Sequence, residues 1–507
     1  MLASVWSATL LGIDGRLVAV EVHVSNGLPA YNVVGLPDAA GRESRERVRA
    51  AMLSSELAWP MRRVTVNLAP GALRKSGAGF ELAVALGLLL ASAELPDGCL
   101  DGAGVLGELG LDGSIRPVPG TLALVDAFRR AGLTRVVVPA ENAGEAALVA
   151  GVDVCPARSL GELRACLKGE QAWPPIELRR NRRAGAGDAP ADDSTDDDGL
   201  DLADVRGLKV VRRALEVAVA GGHHLLLVGP PGVGKTMLAR RVTTILPELR
   251  SEEALEVTRI HSVVGAVASG TLVTRPPFRA PHHTASTAAL VGGGSGRPHP
   301  GEVTLAHRGV LFMDELAEFS PATLDALRQP LEERVVRISR QSSSLTFPAD
   351  FLLLACANPC PCAQAAPRCS CSPERVARYR RRLSGPLLDR FDLRIWVGPP
   401  EAADVGGDAS SIVRSRVRSA VERQRARYAG RRWRRNGALP AGPLRHHVTL
   451  DADVERVWRE ITERRHLTGR GAAAIRRVAR TVADLDDDAD VRADHLEEAA
   501  GMREDVP

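Results

Sequence analysis

The stretch with the plainest chemistry is Gly229-Pro230-Pro231-Gly232-Val233-Gly234-Lys235-Thr236. Its glycines leave backbone N–H groups free to point at phosphate oxygens, and a helix starting at its end adds a positive dipole. Lys235 is placed to reach β- and γ-phosphates, and Thr236 to ligate Mg²⁺. All eight residues are therefore expected to bind ATP with Mg²⁺. Val310-Leu311-Phe312-Met313-Asp314-Glu315 is an apolar run ending in two acids. Asp314 there can bind Mg²⁺, directly or through water, and Glu315 can orient and activate an attacking water. Alternatively the pair caps a helix near Ser320. Asn358 ends the apolar run Phe351–Ala357 and could position the same water. Arg390, in Leu387-Leu388-Asp389-Arg390-Phe391-Asp392, either stabilises transition-state charge in a neighbouring subunit or pairs with Asp389 or Asp392.

Two further clusters stand outside this constellation. Cys360-x-Cys362 and Cys369-x-Cys371 are six residues apart and hold half of the chain's eight cysteines. Four thiolates suit tetrahedral Zn²⁺, although C-x-C is less typical than C-x-x-C, so the choice between zinc and free thiols stays open. Adjacent His282 and His283 are further possible ligands. The segment 414–435 carries ten arginines and one acid, Glu422, and Arg378, Arg380, Arg381 and Arg382 form a second group. Such density suits phosphate contacts on DNA, or else a solvated face and pairing with acids. Val335–Phe347 alternates like a hairpin, with Arg337 and Arg340 placed to touch a DNA backbone or simply to face solvent.

These residues need a scaffold, and the length of 507 residues calls for about three domains. Region 1–170 alternates strand-like segments (Leu17–Val24, Val64–Asn67, Arg135–Val138) with helical ones (Glu43–Ser54, Phe80–Ala93, Thr121–Ala131), which predicts a mixed α/β domain. Residues 171–203 include an Arg-rich and then Asp-rich stretch without apolar periodicity, read as a flexible linker. In 204–400 the strands Leu225–Val228, Val310–Met313 and Phe351–Ala357 and a helix at Met237–Leu246 are ingredients of a parallel sheet. From about Val454 the spacing turns helical, giving a C-terminal helical domain over 401–507. The start lacks a basic segment and a cleavage pattern, and the run Phe80–Leu95 is short and contains Glu81, so neither a signal peptide nor a membrane span is expected. A cytoplasmic location is the expectation.

Taken together, Arg279-Ala280-Pro281-His282-His283-Thr284-Ala285-Ser286, Gly301–His307, Asn358-Pro359-Cys360-Pro361-Cys362 and Ser384–Leu393 resemble the YifB/ComM family of Mg-chelatase-like AAA+ ATPases over nearly the whole chain. The resemblance implies an α/β architecture: an N-terminal Lon-protease-like, ribosomal-S5-type domain, a central AAA+ sandwich and a helical lid. It makes Asp314 and Glu315 the second nucleotide motif, Asn358 the first sensor and Arg390 a trans-acting finger in a ring, expected to be hexameric. Arg470, in Thr468-Gly469-Arg470-Gly471, becomes the second sensor, with Arg477 a rival. Around Lys75-Ser76-Gly77-Ala78-Gly79, the Lon nucleophile position corresponds to Gly79 and its lysine partner to Leu122, so no peptidase activity is expected. A serine–lysine hydrolase needs both groups within hydrogen-bond reach.

The family further implies an ATP-driven branch-migration helicase acting on recombination intermediates, as in natural transformation. Two rivals belong to other classes: a chelatase subunit that inserts Mg²⁺ into a porphyrin, and a chaperone-like remodelling ATPase acting on protein partners. Turnover stimulated by DNA, or instead by peptide, separates them.

Overall fold

Leu2–Leu11 and Asp14–Ser25 pair antiparallel, from Leu2 opposite His23 to Leu11 opposite Asp14. Gly12, at φ 66°, makes the tight connection between them. The computed structural model describes residues 1–35, 39–71, 73, 75, 79–176, 199–267, 270–294, 298–340, 343–364, 369–399 and 406–504, the side chains of 39–43, 340 and 343 excepted. The linker stretch 177–198, Ser76, Gly77, Ala78, the hairpin tip and the side chain of Arg340 lie outside this description.

The chain divides into two compact units, 1–192 with 254–273, and 193–253 with 274–507. In the first, the hairpin sits inside a seven-stranded mixed sheet. Its spatial order is Ala30–Val34, Arg63–Ala69, Asp14–Ser25, Leu2–Leu11, Ala103–Val105, Arg135–Pro139, Asp153–Ala157. Helix Glu81–Ala91 is apolar on every face and buried, as the run of apolar residues predicts. Gly87 permits its close approach to the hairpin, since a Cβ there would meet Val22 Cγ2 at 2.6 Å. The one carboxylate on this helix, Glu81, pairs with Arg47 at 2.5 Å and accepts the Leu109 N–H at 3.1 Å. Burial pushes its pKa up even so.

The expected division differs from the observed one at Ala254–Val273, which lies within 204–400 in sequence but packs into the first unit. There Gly120 N donates to Ser262 O at 2.9 Å, Arg259 Nε donates to Ile13 O at 3.2 Å, and the Ser262 hydroxyl bonds Glu145. Val257 and Ile260 are fully buried.

The second unit contains a five-stranded parallel sheet, ordered Phe278–Arg279, Val310–Met313, Leu352–Ala357, Leu225–Val228, Leu393–Trp396. Every residue of its three central strands is buried, the reason these strands read as unbroken apolar runs. Helices Ser410–Arg427, Ala452–Arg464, Gly469–Leu485 and Ala493–Gly501 share a core with the sheet in the same unit. The helix after the phosphate loop spans Lys235–Arg240 and tightens to a 3-10 turn over Arg241–Thr244. It therefore begins two residues earlier than the expected Met237 and loses α geometry in the β-branched stretch Val242-Thr243-Thr244. Among the described residues no helix is long and apolar enough to cross a membrane.

Candidate nucleotide site

The site is assembled at the ends of three neighbouring parallel strands. Leu225–Val228 leads into the phosphate loop. Gly229 must be glycine because a Cβ would stand 2.2 Å from Val397 O on the adjacent strand's exit. Gly232 and Gly234 take left-handed φ values of 79° and 90° that turn the loop around on itself. Gly234 caps the helix that begins at Lys235. The Lys235 ammonium donates to Gly229 O at 2.6 Å and Pro230 O at 2.8 Å, with Asn358 Oδ1 3.4 Å away. Burial lowers its pKa, opposed in part by Cys356 and Asp314.

From the next strand but one, Val310–Met313, the chain delivers Asp314, whose Oδ2 accepts from the Thr236 hydroxyl at 2.8 Å. A hydroxyl and a carboxylate converging beside the phosphate loop are hard oxygen donors, and they fit Mg²⁺. Glu315 follows in a left-handed conformation, φ 50° and ψ 47°, which a non-glycine residue adopts only when its surroundings impose it. Its carboxylate is half exposed and faces His283 Nδ1 at 3.4 Å. The expected alternative, that the acids cap a helix at Ser320, is not realised: Ser320 itself caps Pro321–Ala326, accepting from Thr323 N at 3.1 Å.

His283 is a site residue that the sequence did not reveal as a partner of Glu315. The loop carrying it is locked by a two-pronged ion pair, Arg279 Nε to Glu302 Oε2 at 2.7 Å and Nη2 to Oε1 at 3.0 Å. Arg279 opens the segment 279–286 and Glu302 lies in Gly301–His307, so the ion pair ties these two motifs together. His282 bonds Thr284 Oγ1 at 2.8 Å, and neither histidine joins the cysteine cluster.

Lys235, Thr236, Asp314, Glu315 and Asn358 are thus brought together. Arg390 and Arg470 are not: among the described residues neither contacts the phosphate loop. Arg390 bonds Glu332 and donates to Pro386 O at 2.8 Å, whereas Asp389 and Asp392, its two expected partners, are taken by other groups. Asp389 faces Arg394 at 3.6 Å, and Asp392 binds Arg477 and His223, each at 2.9 Å. Burial alone would raise the Asp392 pKa, but Arg477 and His223 outweigh it and hold the carboxylate below its usual range. Arg470, at the start of helix Gly469–Leu485, is exposed and lies 3.7 Å from the same Glu332. Arg477 is occupied by Asp392 and by Leu439 O at 3.3 Å.

The arginine clusters divide sharply. In 414–435, Arg416, Arg423, Arg425, Arg427 and Arg434 pair with carboxylates, and Arg414 and Arg435 donate to Thr244 O and Val219 O. Most of that run is therefore spent holding helix Ser410–Arg427 in place. Arg418, Arg431 and Arg432 keep no side-chain partner among the described residues, and Arg418 with Arg250 and Arg275 lines an open cavity of about 630 Å³. On helix Pro373–Arg380 and just after it, by contrast, Arg375, Arg378, Arg380 and Arg381 are exposed and their guanidinium groups have no partner among the described residues; Arg382 is bound to Glu318 at 3.0 Å. Arg337 on the hairpin Val335–Arg340/Ser343–Pro348 pairs with Glu333. Cys360, Cys362, Cys369 and Cys371 do come together. In the first unit Lys75 is buried, bonds Pro70 O and has its pKa lowered by burial; Leu122 is buried, and a Cβ at Gly79 would approach only Val118, at 3.6 Å.

A parallel sheet carrying a complete phosphate loop, a strand-end acid pair and a polar side chain, Asn358, at the tip of the strand between them defines a P-loop ATPase of the AAA+ type. Known proteins share more than this class. The family described as magnesium chelatase, subunit ChlI, matches residues 201–405, with subunit ChlI of Mg-chelatase matching 20–142 and the ChlI C-terminal region matching 407–503. An uncharacterized protein of Mycobacterium tuberculosis is 45% identical over 96% of this chain and 95% of its own length. YifB of Escherichia coli is 40% identical and the competence protein ComM of Haemophilus influenzae 38%, each over 99% of this chain and 97% of its own. Lon protease 2 of Bacillus subtilis is 33% identical over 26% of this chain and 25% of its own. The chain belongs to the YifB/ComM family of magnesium-chelatase-like AAA+ ATPases. Membership carries ATPase activity with ATP and Mg²⁺.

Proposed function

We propose that this ATPase works on DNA as a ring, coupling hydrolysis to movement along branched or single-stranded DNA. The main support is the row Arg375, Arg378, Arg380 and Arg381, exposed and without partners among the described residues, whereas seven of the ten arginines in 414–435 are bound to carboxylates or carbonyls. Unpaired guanidiniums on a helix and the turn after it are what phosphate contacts require. Arg418, Arg250 and Arg275, whose guanidinium groups have no partner among the described residues, add a second group around one cavity. The relative in Haemophilus influenzae bears the name competence protein, which is compatible with DNA as the substrate and with branch migration during recombination. The cytoplasm is the compartment this reading requires.

In this reading the chain's residues divide the labour. Lys235 and the loop N–H groups bind the phosphates; Thr236 and Asp314 would hold Mg²⁺, which when bound would supply charge neutralisation at the phosphoryl group. Glu315 takes the proton of the attacking water while Asn358 holds that water in line. A trans-acting Arg390 fits its lack of contact, among the described residues, with its own phosphate loop. Glu332 restrains both Arg390 and Arg470, and a neighbouring subunit's nucleotide would have to draw Arg390 away. A homohexamer is the expected ring.

The test is steady-state ATP turnover with and without four-way or forked DNA, with Lys235→Ala as control. Stimulation that vanishes in the control supports the reading. Turnover indifferent to every DNA but raised by peptide or by a protein partner would replace it with the remodelling or chelatase alternative.

A further inference from the structure

Four thiols close beside the nucleotide site face one another with a geometry that nucleotide chemistry does not use. Cys360 Sγ lies 3.2 Å from Cys362 Sγ and 3.5 Å from Cys369 Sγ, and Cys362 Sγ lies 3.7 Å from Cys369 Sγ. With Cys371, all four sulfurs fall within 4.8 Å of one another. None is in a disulfide, for which the sulfurs would stand at about 2.05 Å. A tetrahedron with metal–sulfur bonds of about 2.3 Å places its sulfurs about 3.8 Å apart, close to the spacing found here. An all-sulfur set selects soft or borderline metals and offers no carboxylate for Mg²⁺. Four protein ligands also leave no open position, so the site is structural rather than catalytic.

The placement of the ligands gives the ion its purpose. Cys360 comes two residues after Asn358, on the turn leaving the buried strand Leu352–Ala357. Cys371 immediately precedes Ser372, whose hydroxyl caps helix Pro373–Arg380 by accepting from Arg375 N at 3.3 Å. A metal shared by the four thiols therefore joins the tip of the sensor strand to the start of the helix that exposes the unpaired arginines. We propose that Cys360, Cys362, Cys369 and Cys371 hold a structural Zn²⁺ ion, and that this ion clasps the Asn358 strand tip to the arginine helix. Occupancy of that helix by an anionic partner is then felt at the water-positioning side chain through a short, stiff knot. The ion itself stands on the sulfur geometry alone; its effect on turnover rests on the roles given above to Asn358 and to the helix.

The full chain, purified without chelator or added metal, tests the site by elemental analysis, with one zinc per chain expected. Exchange for Co²⁺ should give the sulfur-to-cobalt charge-transfer band and visible bands of a tetrahedral thiolate site, a signature independent of activity. Cys369→Ser and Cys371→Ser should each lose the metal, and Cys155→Ser, in the other unit, should keep it. Absence of stoichiometric zinc from the wild-type chain, iron in its place, or full zinc retained in both variants would overturn the site. Should the variants not fold, the cobalt spectrum of the wild-type chain decides. The clasp role is read from kinetics: kcat should fall about tenfold with little change in KM for ATP, the scale of losing a supporting shell. Loss of zinc with kcat and DNA response unchanged would leave the metal site standing and overturn the coupling.

Discussion

Replacing His283 by alanine gives the sharpest test of how Glu315, the carboxylate proposed to activate water, is positioned. Glu315 stands in a strained backbone conformation, and the side chain facing its carboxylate is His283, at 3.4 Å with the pair 32% and 51% exposed. A pair that open to solvent is worth at most about 1 kcal/mol, or roughly fivefold in rate if all of it is spent on orientation. His283→Ala should therefore lower kcat about fivefold or less. Glu315→Gln, which removes the proton acceptor itself, should lower it by about 10²–10⁴. The two changes should also be coupled: with Glu315 already replaced, removing His283 should do almost nothing more. Steady-state ATPase rates at saturating ATP for wild type, both single variants and the double variant complete the cycle. A His283→Ala defect as deep as that of Glu315→Gln, or a double variant whose defects multiply, would refute the positioning role and give His283 chemistry of its own.

Asp392→Ala removes the shared partner of buried His223 and of Arg477 and should destabilise the second unit by about 3–5 kcal/mol in urea unfolding, with Asp392→Asn intermediate. Gly229→Ala forces a methyl group to within 2.2 Å of Val397 O, so a destabilisation of about 1–3 kcal/mol and weaker binding of a fluorescent ATP analogue are expected. Burial pushes the His224 imidazole down to about 4, and its Nδ1 accepts the Leu353 N–H at 3.0 Å as a neutral ring must. Its folded pKa is below the unfolded value of about 6.5, so its contribution is intact above pH ~6.5 and disappears as pH falls toward 4; thermal midpoints across that range, compared with His224→Asn, measure it. Changing Arg375 and Arg378 to glutamine should weaken DNA binding alike for all sequences and reduce the salt slope by up to about 0.9 for each phosphate no longer neutralised.

The parts legible in the sequence were those whose cause is local. Leu225–Val228 and Val310–Met313 were expected to the residue because a strand buried on both faces needs an unbroken apolar run. The phosphate loop, its acids and Asn358 follow from residue type plus order. Strand Leu2–Leu11 is not legible in the sequence because its first half is largely exposed and its second half is buried on both sides, so neither period dominates. The approach of His283 to Glu315, like the Arg279–Glu302 pair, joins segments distant in sequence that no local pattern brings together. For the arginine run 414–435 composition announced charge, but which guanidiniums stay free depends on carboxylates such as Glu253 and Asp484 placed opposite by the tertiary fold.

Ala254–Val273 is tied at both ends into the ATPase sequence, yet its buried side chains and its bonds to Gly120, Ile13 and Glu145 belong to the first unit. The first unit is therefore not completed by the N-terminal region alone. A protease that cut once within 177–198 would yield two fragments that remain associated, because the larger one supplies a piece of the smaller one's interior. A truncation starting at the linker would remove most of the unit to which Val257 and Ile260, both fully buried, belong, so an isolated ATPase fragment should expose apolar surface that the whole protein hides.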